Sequence, residues 1–294
     1  LLTDEFISQY KHLPNPFPSQ LGQFVYYRTY SRWLVLEKRR EYWWETVRRA
    51  VEFNCNLVRT SQKEAEALYD NIYHLRQFLA GRTLWTGGTG VSSKYPMANF
   101  NCSFTVLDKF STFKDLFYLL MIGSGVGVRV LKSDVQKLPK IRTNIKIIHE
   151  AYSPVPKEER EDLTSITFQK DTAHIVVGDS KEGWVQSLDY YMNMLSKKEY
   201  RPIQKVIFNY DNVRPKGEKL KTFGGTASGY ESLEKMFTKI DKIVKNNCFS
   251  SWKKLRPVDC MDIANIIGQN VVVGGVRRTS EVILFDPDDQ DILN

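Results

Sequence analysis

Apolar residues recur at helical spacing in several stretches of the chain. Trp44, Val47 and Val51 predict a helix over about 41–54. Ser61 and Glu64 form a capping box, and Leu68, Ile72, Leu75 and Leu79 then fall on one stripe that Gly81 ends. Between 99 and 131 the period changes twice. "NFNCSFTVL" reads as a strand rich in aromatic and β-branched residues. "STFKDLFYLLM" reads as a helix with Phe113, Leu116, Phe117 and Leu120 inward, and "GSGVGVRVL" as a second strand opened by glycines. Strand, helix, strand is a βαβ unit, which implies a parallel sheet or barrel and an α/β fold.

The remaining segments are less periodic. Residues 1–30 carry Pro14, Pro16 and Pro18 and read as an irregular arm. "RTLWTGGTG" reads as a loop whose backbone can approach a ligand. Residues 132–205, rich in Lys and Glu, interrupt the pattern and read as an insertion. It holds one helix, opened at Asp179 or Ser180 and lined by Trp184, Val185, Leu188 and Met192. After it, "IFNYDNVRPKG" predicts a strand and a basic turn, and "FGGTASG" a glycine-rich loop. Helices are expected at about 231–245 and 259–269, and "VVVGGVRRTSEVILFD" reads as strand, glycine turn, strand.

Composition narrows the class without naming a function. The 294 residues, 42% hydrophobic and 26% charged, suit one large or two smaller globular domains. No apolar run reaches the roughly 18 residues of a membrane span, and "LLTDEFISQY" has no secretory pattern. The first residue is not Met, which suggests a trimmed start. Cys55, Cys102, Cys248 and Cys260 form no C-x-x-C and too sparse a set for a disulfide scaffold, so a zinc site is not expected and a reducing cytoplasm is. Much of the net charge of +8 lies between Arg28 and Arg49, mixed with Glu37, Glu41 and Glu45. Mixed signs on a helix read as a solvated face, with a phosphate-rich ligand as the alternative. The basic residues form no aromatic-interleaved stripe, which argues against nucleic acid.

Three glycine-rich loops, 86–90, 123–127 and 223–229, are neither P-loops nor dinucleotide fingerprints. Each is a tight turn at a strand end or a phosphate cradle. Arg277 and Arg278 follow two glycines, where adjacent guanidiniums could clamp a phosphate or sit on a solvated turn. A lone strand cysteine such as Cys102 reads first as a small buried hydrophobe, since chemistry would require a partner.

The motifs taken in order change that reading. "YRTYSRW", "RTLWTGGT", "NFNCSF", "DLFYLLMIGSGVGVRVL", "KEGW", "RPKGEKLKTFGGTASG" and "VVVGGVRRTSEV" closely resemble the adenosylcobalamin-dependent (class II) ribonucleoside-triphosphate reductases of the monomeric Lactobacillus type. The resemblance runs from about residue 26 to 294 and covers the N-terminal part of that family. It implies the N-terminal part of a ten-stranded α/β barrel, preceded by a helical segment (1–80), with the first barrel strands and the substrate and redox loop at 81–131. An insertion mimicking a dimer interface would occupy 132–205, and effector loops with further barrel elements 206–294. It also implies reduction of ribonucleoside triphosphates to deoxyribonucleotides through a thiyl radical that adenosylcobalamin initiates.

By the same matching, Cys102 corresponds to one member of the cysteine pair that supplies reducing equivalents. Thr86, Asn101, Ser103 and Gly125 correspond to substrate-lining positions. Asp108 and Ser111 correspond to part of a specificity site for a deoxynucleoside triphosphate effector, "NVRPKGEKLKTF" with Arg214 and Lys216 to its first loop, and "GGVRRTSE" with Gly275 and Arg277 to its second. A thioredoxin-type reductant and the C-terminal half of the reductase are the implied partners, with no nucleic acid or membrane. The family's Asn-x-Cys-x-Glu radical motif surrounds none of Cys55, Cys248 or Cys260, and the second redox cysteine is absent. The expectation is therefore a fragment, split or intein-interrupted chain, inactive alone, with most cobalamin contacts elsewhere. The alternative is a non-catalytic effector-binding module.

Overall fold

The computed structural model describes residues 1–219, 226–246, 250–273 and 280–293. The chain divides into two units, 1–101 and 102–294.

The first unit is mainly helical. It runs α1 (Asp4–Ser8), α2 (Gln20–Val25), a π-helical turn (Tyr26–Tyr30), a hairpin of β1 (Trp33–Leu34) and β2 (Arg39–Arg40), α3 (Trp43–Leu57), α4 (Gln62–Tyr73), α5 (Gly81–Thr86) and α6 (Gly90–Lys94). The predicted capping box is present: the Ser61 hydroxyl accepts from the Glu64 amide and the Glu64 carboxylate accepts from the Ser61 amide. The helix it opens is shorter than expected. Leu75 adopts a left-handed backbone (φ 60), so the stripe does not continue to Leu79. Residues 1–30 are no irregular arm either. Ile7 and Tyr10 are buried, Tyr10 meets the rings of Tyr69 and Tyr73 edge-on at 4.8 and 4.9 Å, and its hydroxyl donates to Asp70. Prolines hid an aromatic face that long-range packing orders.

The second unit is α/β. It follows β3 (Cys102–Val106), α7 (Ser111–Met121), β4 (Gly125–Arg129), α8 (Lys132–Val135), β5 (Ile141–Arg142), β6 (Lys146–His149), β7 (Ser165–Gln169), β8 (Thr172–Val176), α9 (Lys181–Ser196), β9 (Lys205–Asn209), α10 (Glu231–Lys245), β10 (Trp252–Lys253), α11 (Pro257–Val273), β11 (Glu281–Leu284) and α12 (Gln290–Leu293). β3, β4 and β11 form a parallel sheet in the order β11-β4-β3, so the predicted βαβ unit is present. Val126 and Val128 share a core with Leu116 and Phe117 of α7 and Ile263 and Ile267 of α11. The opposite sheet face is open to solvent at Cys102, Phe104, Val282 and Leu284.

A second sheet, ordered β6-β9-β8-β7, is parallel except for β7–β8. Phe208 stacks on Phe237 of α10 at 4.2 Å and meets Tyr191 of α9 edge-on. β9 thus pairs with strands of the predicted insertion instead of following it. β5 pairs with β10. Residues 271–273, read as strand from their valines, end α11, because tertiary packing overrides β-propensity in a helix packed against α7 and α10.

Candidate functional site

Cys102 opens β3 and is exposed, whereas Cys55 and Cys260 are buried. Burial pushes both buried thiols above the ordinary range, most strongly Cys260, and so disfavours their thiolates. Cys248 lies outside the described residues. Cys102 aligns with Gly125 of β4 and Ser103 with Val126. A neighbour without a side chain leaves the thiol unobstructed on that flank. Two residues on, Phe104 covers Gly127: a Cβ there would come within 2.8 Å of the Phe104 ring. Strand alternation sends Ser103 to the helix side, where its hydroxyl bonds that of Ser124 at 2.7 Å and ties β3 to the turn before β4.

Cys102, Ser103 and Gly125 therefore converge at the N-terminal end of the parallel sheet. The start of β11 joins them there, with the Val126 amide donating to the Ser280 carbonyl. Glu281, the next residue, was missed by sequence reasoning. Its carboxyl is largely buried, Oε1 has no hydrogen-bond partner among the described residues, and burial pushes its pKa up to about 7. A Cβ at Gly268 of α11 would collide with it. Asp108 and Ser111 lie beyond the other end of β3, roughly 16 Å of strand away. Gly275 and Arg277 are outside the described residues, as are Arg278 and 223–225.

In the first unit, "RTLWTGGTG" is not one loop. Gly81–Thr86 is helical, and Gly88, left-handed at φ 72, follows its end. Thr86 is buried, and its hydroxyl donates to the Arg82 carbonyl and lies 3.3 Å from the Asn99 amide oxygen. Its side chain is thus engaged within its own turn, while Asn101 is exposed. The charged stretch at 28–49 is solvated at Arg28, Glu37, Lys38 and Arg40 but not throughout. Glu41, 4% exposed, accepts from Arg49 Nε and Nη2 at 2.7 and 2.9 Å and from Thr46, and Arg49 also donates to the Leu84 and Gly87 carbonyls. Burial opposes ionisation of Glu41, but the Arg49 bonds outweigh it and hold the carboxyl below its usual range. The ion pair staples α3 to the Thr86–Gly88 turn.

The basic turn after β9 is a hairpin. The Gly217 amide donates to the Ala227 carbonyl, the Ala227 amide returns to Glu218, and Lys219 bridges Thr226. Lys216 is exposed. Arg214 is held by Asp179, whose carboxylate accepts from Arg214 Nε at 2.9 and 3.0 Å and from its backbone amide at 3.0 Å.

The family model "Ribonucleotide reductase alpha domain" matches residues 2–89, and "B12-dependent ribonucleotide reductase, insertion domain" matches 147–244. The adenosylcobalamin-dependent ribonucleoside-triphosphate reductase of Lactobacillus acidophilus is 32% identical over 99% of this chain and 45% of its own length, and that of Lactobacillus leichmannii is 31% identical over 100% of this chain and 44% of its own length. A crystal structure of a B12-dependent (class II) ribonucleotide reductase superposes with a TM-score of 0.81, at 30% identity over 99% of this chain. This chain is a homologue of part of the class II ribonucleotide reductases. It spans about 45% of the length of these relatives.

The insertion-domain match of this reductase homologue takes in β6 through α10 and so overlaps the second sheet. Cobalamin needs a broad apolar floor or an axial ligand. Clefts of about 590 Å³ at Trp44–Arg48 and 540 Å³ at Lys239–Gln269 are open and lined with charged side chains. No trio of His, Cys, Asp or Glu among the described residues could hold a metal. Neither cleft offers such a floor, and the residues lining them do not fit the cofactor. No helix among them is long and apolar enough to cross a membrane.

Proposed function

We propose that this chain provides part of an adenosylcobalamin-dependent ribonucleoside-triphosphate reductase, in which Cys102 is one of two thiols that reduce the ribose. In the whole enzyme the cofactor would supply the radical, and a cysteine outside these 294 residues would carry it. The net step removes the 2′-hydroxyl as water while two thiols become one disulfide: two electrons pass from sulfur to the sugar, one thiol hydrogen takes the place of the hydroxyl and the other leaves in the water. A thioredoxin-type reductant would then restore the thiols.

The carrying observation is the placement of Cys102: exposed, at the end of a parallel strand, beside a glycine, while Cys55 and Cys260 are buried. A thiol fixed on a strand is held in position for reaction, as a loop thiol would not be. Ser103 and Gly125 would line the substrate, with Asn101 and Thr86 as further candidates. The hairpin at 214–219 and 226–229 would take part in effector binding, with Asp108, Ser111, Gly275 and Arg277 as further candidates. The enzyme would act in the cytoplasm. The test is Cys102→Ser in the full-length reductase: dithiol-driven ribonucleotide reduction is expected to fall at least 100-fold, and unchanged activity would refute the assignment. The second reading, an effector-binding module without chemistry, is favoured for these residues alone by the missing Asn-x-Cys-x-Glu motif.

A further inference from the structure

We infer that Asp179 is a positioning residue for the effector hairpin, orienting Arg214 as an anion-binding group. The inference rests on the reading of that hairpin as effector-binding.

Asp179 is 9% exposed and sits in a tightly specified turn. Its amide donates to the Glu161 carbonyl, and the next residue, Ser180, donates its hydroxyl to the Asp162 carbonyl while capping α9 at Gly183. Glycine is required on both sides. A Cβ at Gly178 would collide with the Asp162 carbonyl, and one at Gly183 would come within 2.6 Å of the same oxygen. Thr164 closes the arrangement, donating to the Gly183 carbonyl at 2.6 Å and accepting from the Gly178 amide at 3.0 Å. The glycine of "KEGW" is thereby accounted for: it lets the 161–164 segment lie against the helix start and fixes the Asp179 backbone.

That fixed backbone presents a carboxylate and a carbonyl to one arginine. Arg214 gives Nε to both carboxylate oxygens and Nη2 to the Asp179 carbonyl at 3.1 Å. Its Nη1 has no partner among the described residues, so one edge of the guanidinium stays available for an anion while the other is locked. A guanidinium held in this way loses little rotamer freedom on binding phosphate. Arg160 completes the cluster, 3.7 Å from Asp179 and 2.8 Å from Glu218. Burial opposes the Glu218 charge, but the Arg160 bond outweighs it and holds the carboxyl low. Glu218 belongs to the hairpin, so the same buried acid anchors it at two points. Two carboxylates against two guanidiniums leave the cluster neutral. The exposed Lys216 and Lys219 then provide net positive charge around it.

The test uses the 294-residue chain and calorimetric titration with each of dATP, dGTP, dTTP and dCTP. Hydrogen exchange is read at the Gly217 and Ala227 amides and, as reference, at β8 and β9. Wild type is expected to bind at least one nucleotide. Asp179→Asn is expected to weaken that binding at least 10-fold and to raise hairpin exchange with the reference strands unchanged. Arg214→Lys, which keeps the charge but not the fork, should weaken binding by an intermediate factor and is the fallback if Asp179→Asn does not fold. Unchanged affinity in both variants, or exchange rising equally in the hairpin and the reference strands, would overturn the inference. If no nucleotide binds wild type, the effector reading itself fails, and the exchange comparison still decides whether Asp179 holds the hairpin.

Discussion

Cys102 and Glu281 lie one strand apart from each other across β4 and behave oppositely toward solvent. The exposed thiol should react first: under native conditions iodoacetamide is expected to modify Cys102 well before Cys55 or Cys260, as read by peptide mass spectrometry. Equal labelling of the three would contradict the placement. Glu281 has its pKa raised to about 7 in the folded chain. The folded state therefore holds this proton more tightly than the unfolded state. Stability should decline as pH climbs from about 4.5 to 7 and level off above that. Glu281→Gln is expected to remove that slope, measured by urea unfolding at pH 5 and pH 8, and an unaltered slope would show that another group is responsible. At Glu41 the logic reverses. A neutral side chain would strand a buried guanidinium, so Glu41→Gln should destabilise the first unit by about 3–5 kcal/mol in urea unfolding.

Among the elements, local signals were legible where they were self-contained. The Ser61–Glu64 box, the inward face of α7 and the limits of α10 all follow from short-range patterns. What remained hidden depends on distant partners. The 1–30 segment is ordered by the Tyr69 and Tyr73 rings, β9 by strands of the insertion, and 271–273 by helix packing. In the candidate site, the strand that carries Cys102 was legible from its aromatic and β-branched residues, whereas the contacts of Asp179, Glu281 and the Glu41–Arg49 pair were not. Each is defined by a contact far along the chain, which no local spacing encodes. Gly127 illustrates the same point at β4. Only the Phe104 ring explains the glycine, and Gly127→Ala is expected to cost about 1–3 kcal/mol by forcing that ring off its place. A stability change below about 0.5 kcal/mol would mean that the ring moves freely.

For the whole molecule, the two units assign different duties to different stretches of sequence. The parallel sheet carries the exposed thiol, the second sheet with its hairpin carries the Asp179–Arg214 cluster proposed to bind an anion, and the helical unit braces the Thr86–Gly88 turn. The open face of β3, β4 and β11, with Phe104, Val282 and Leu284 exposed, is an apolar surface that further strands of a reductase barrel would cover. The account stands or falls on whether Cys102 gives up its hydrogen during turnover. The most direct measurement is a single turnover of the pre-reduced full-length reductase without external reductant, followed by disulfide mapping. The account predicts Cys102 in a new disulfide, formed in proportion to deoxyribonucleotide produced. Product formed at the normal yield with Cys102 still a free thiol would contradict it.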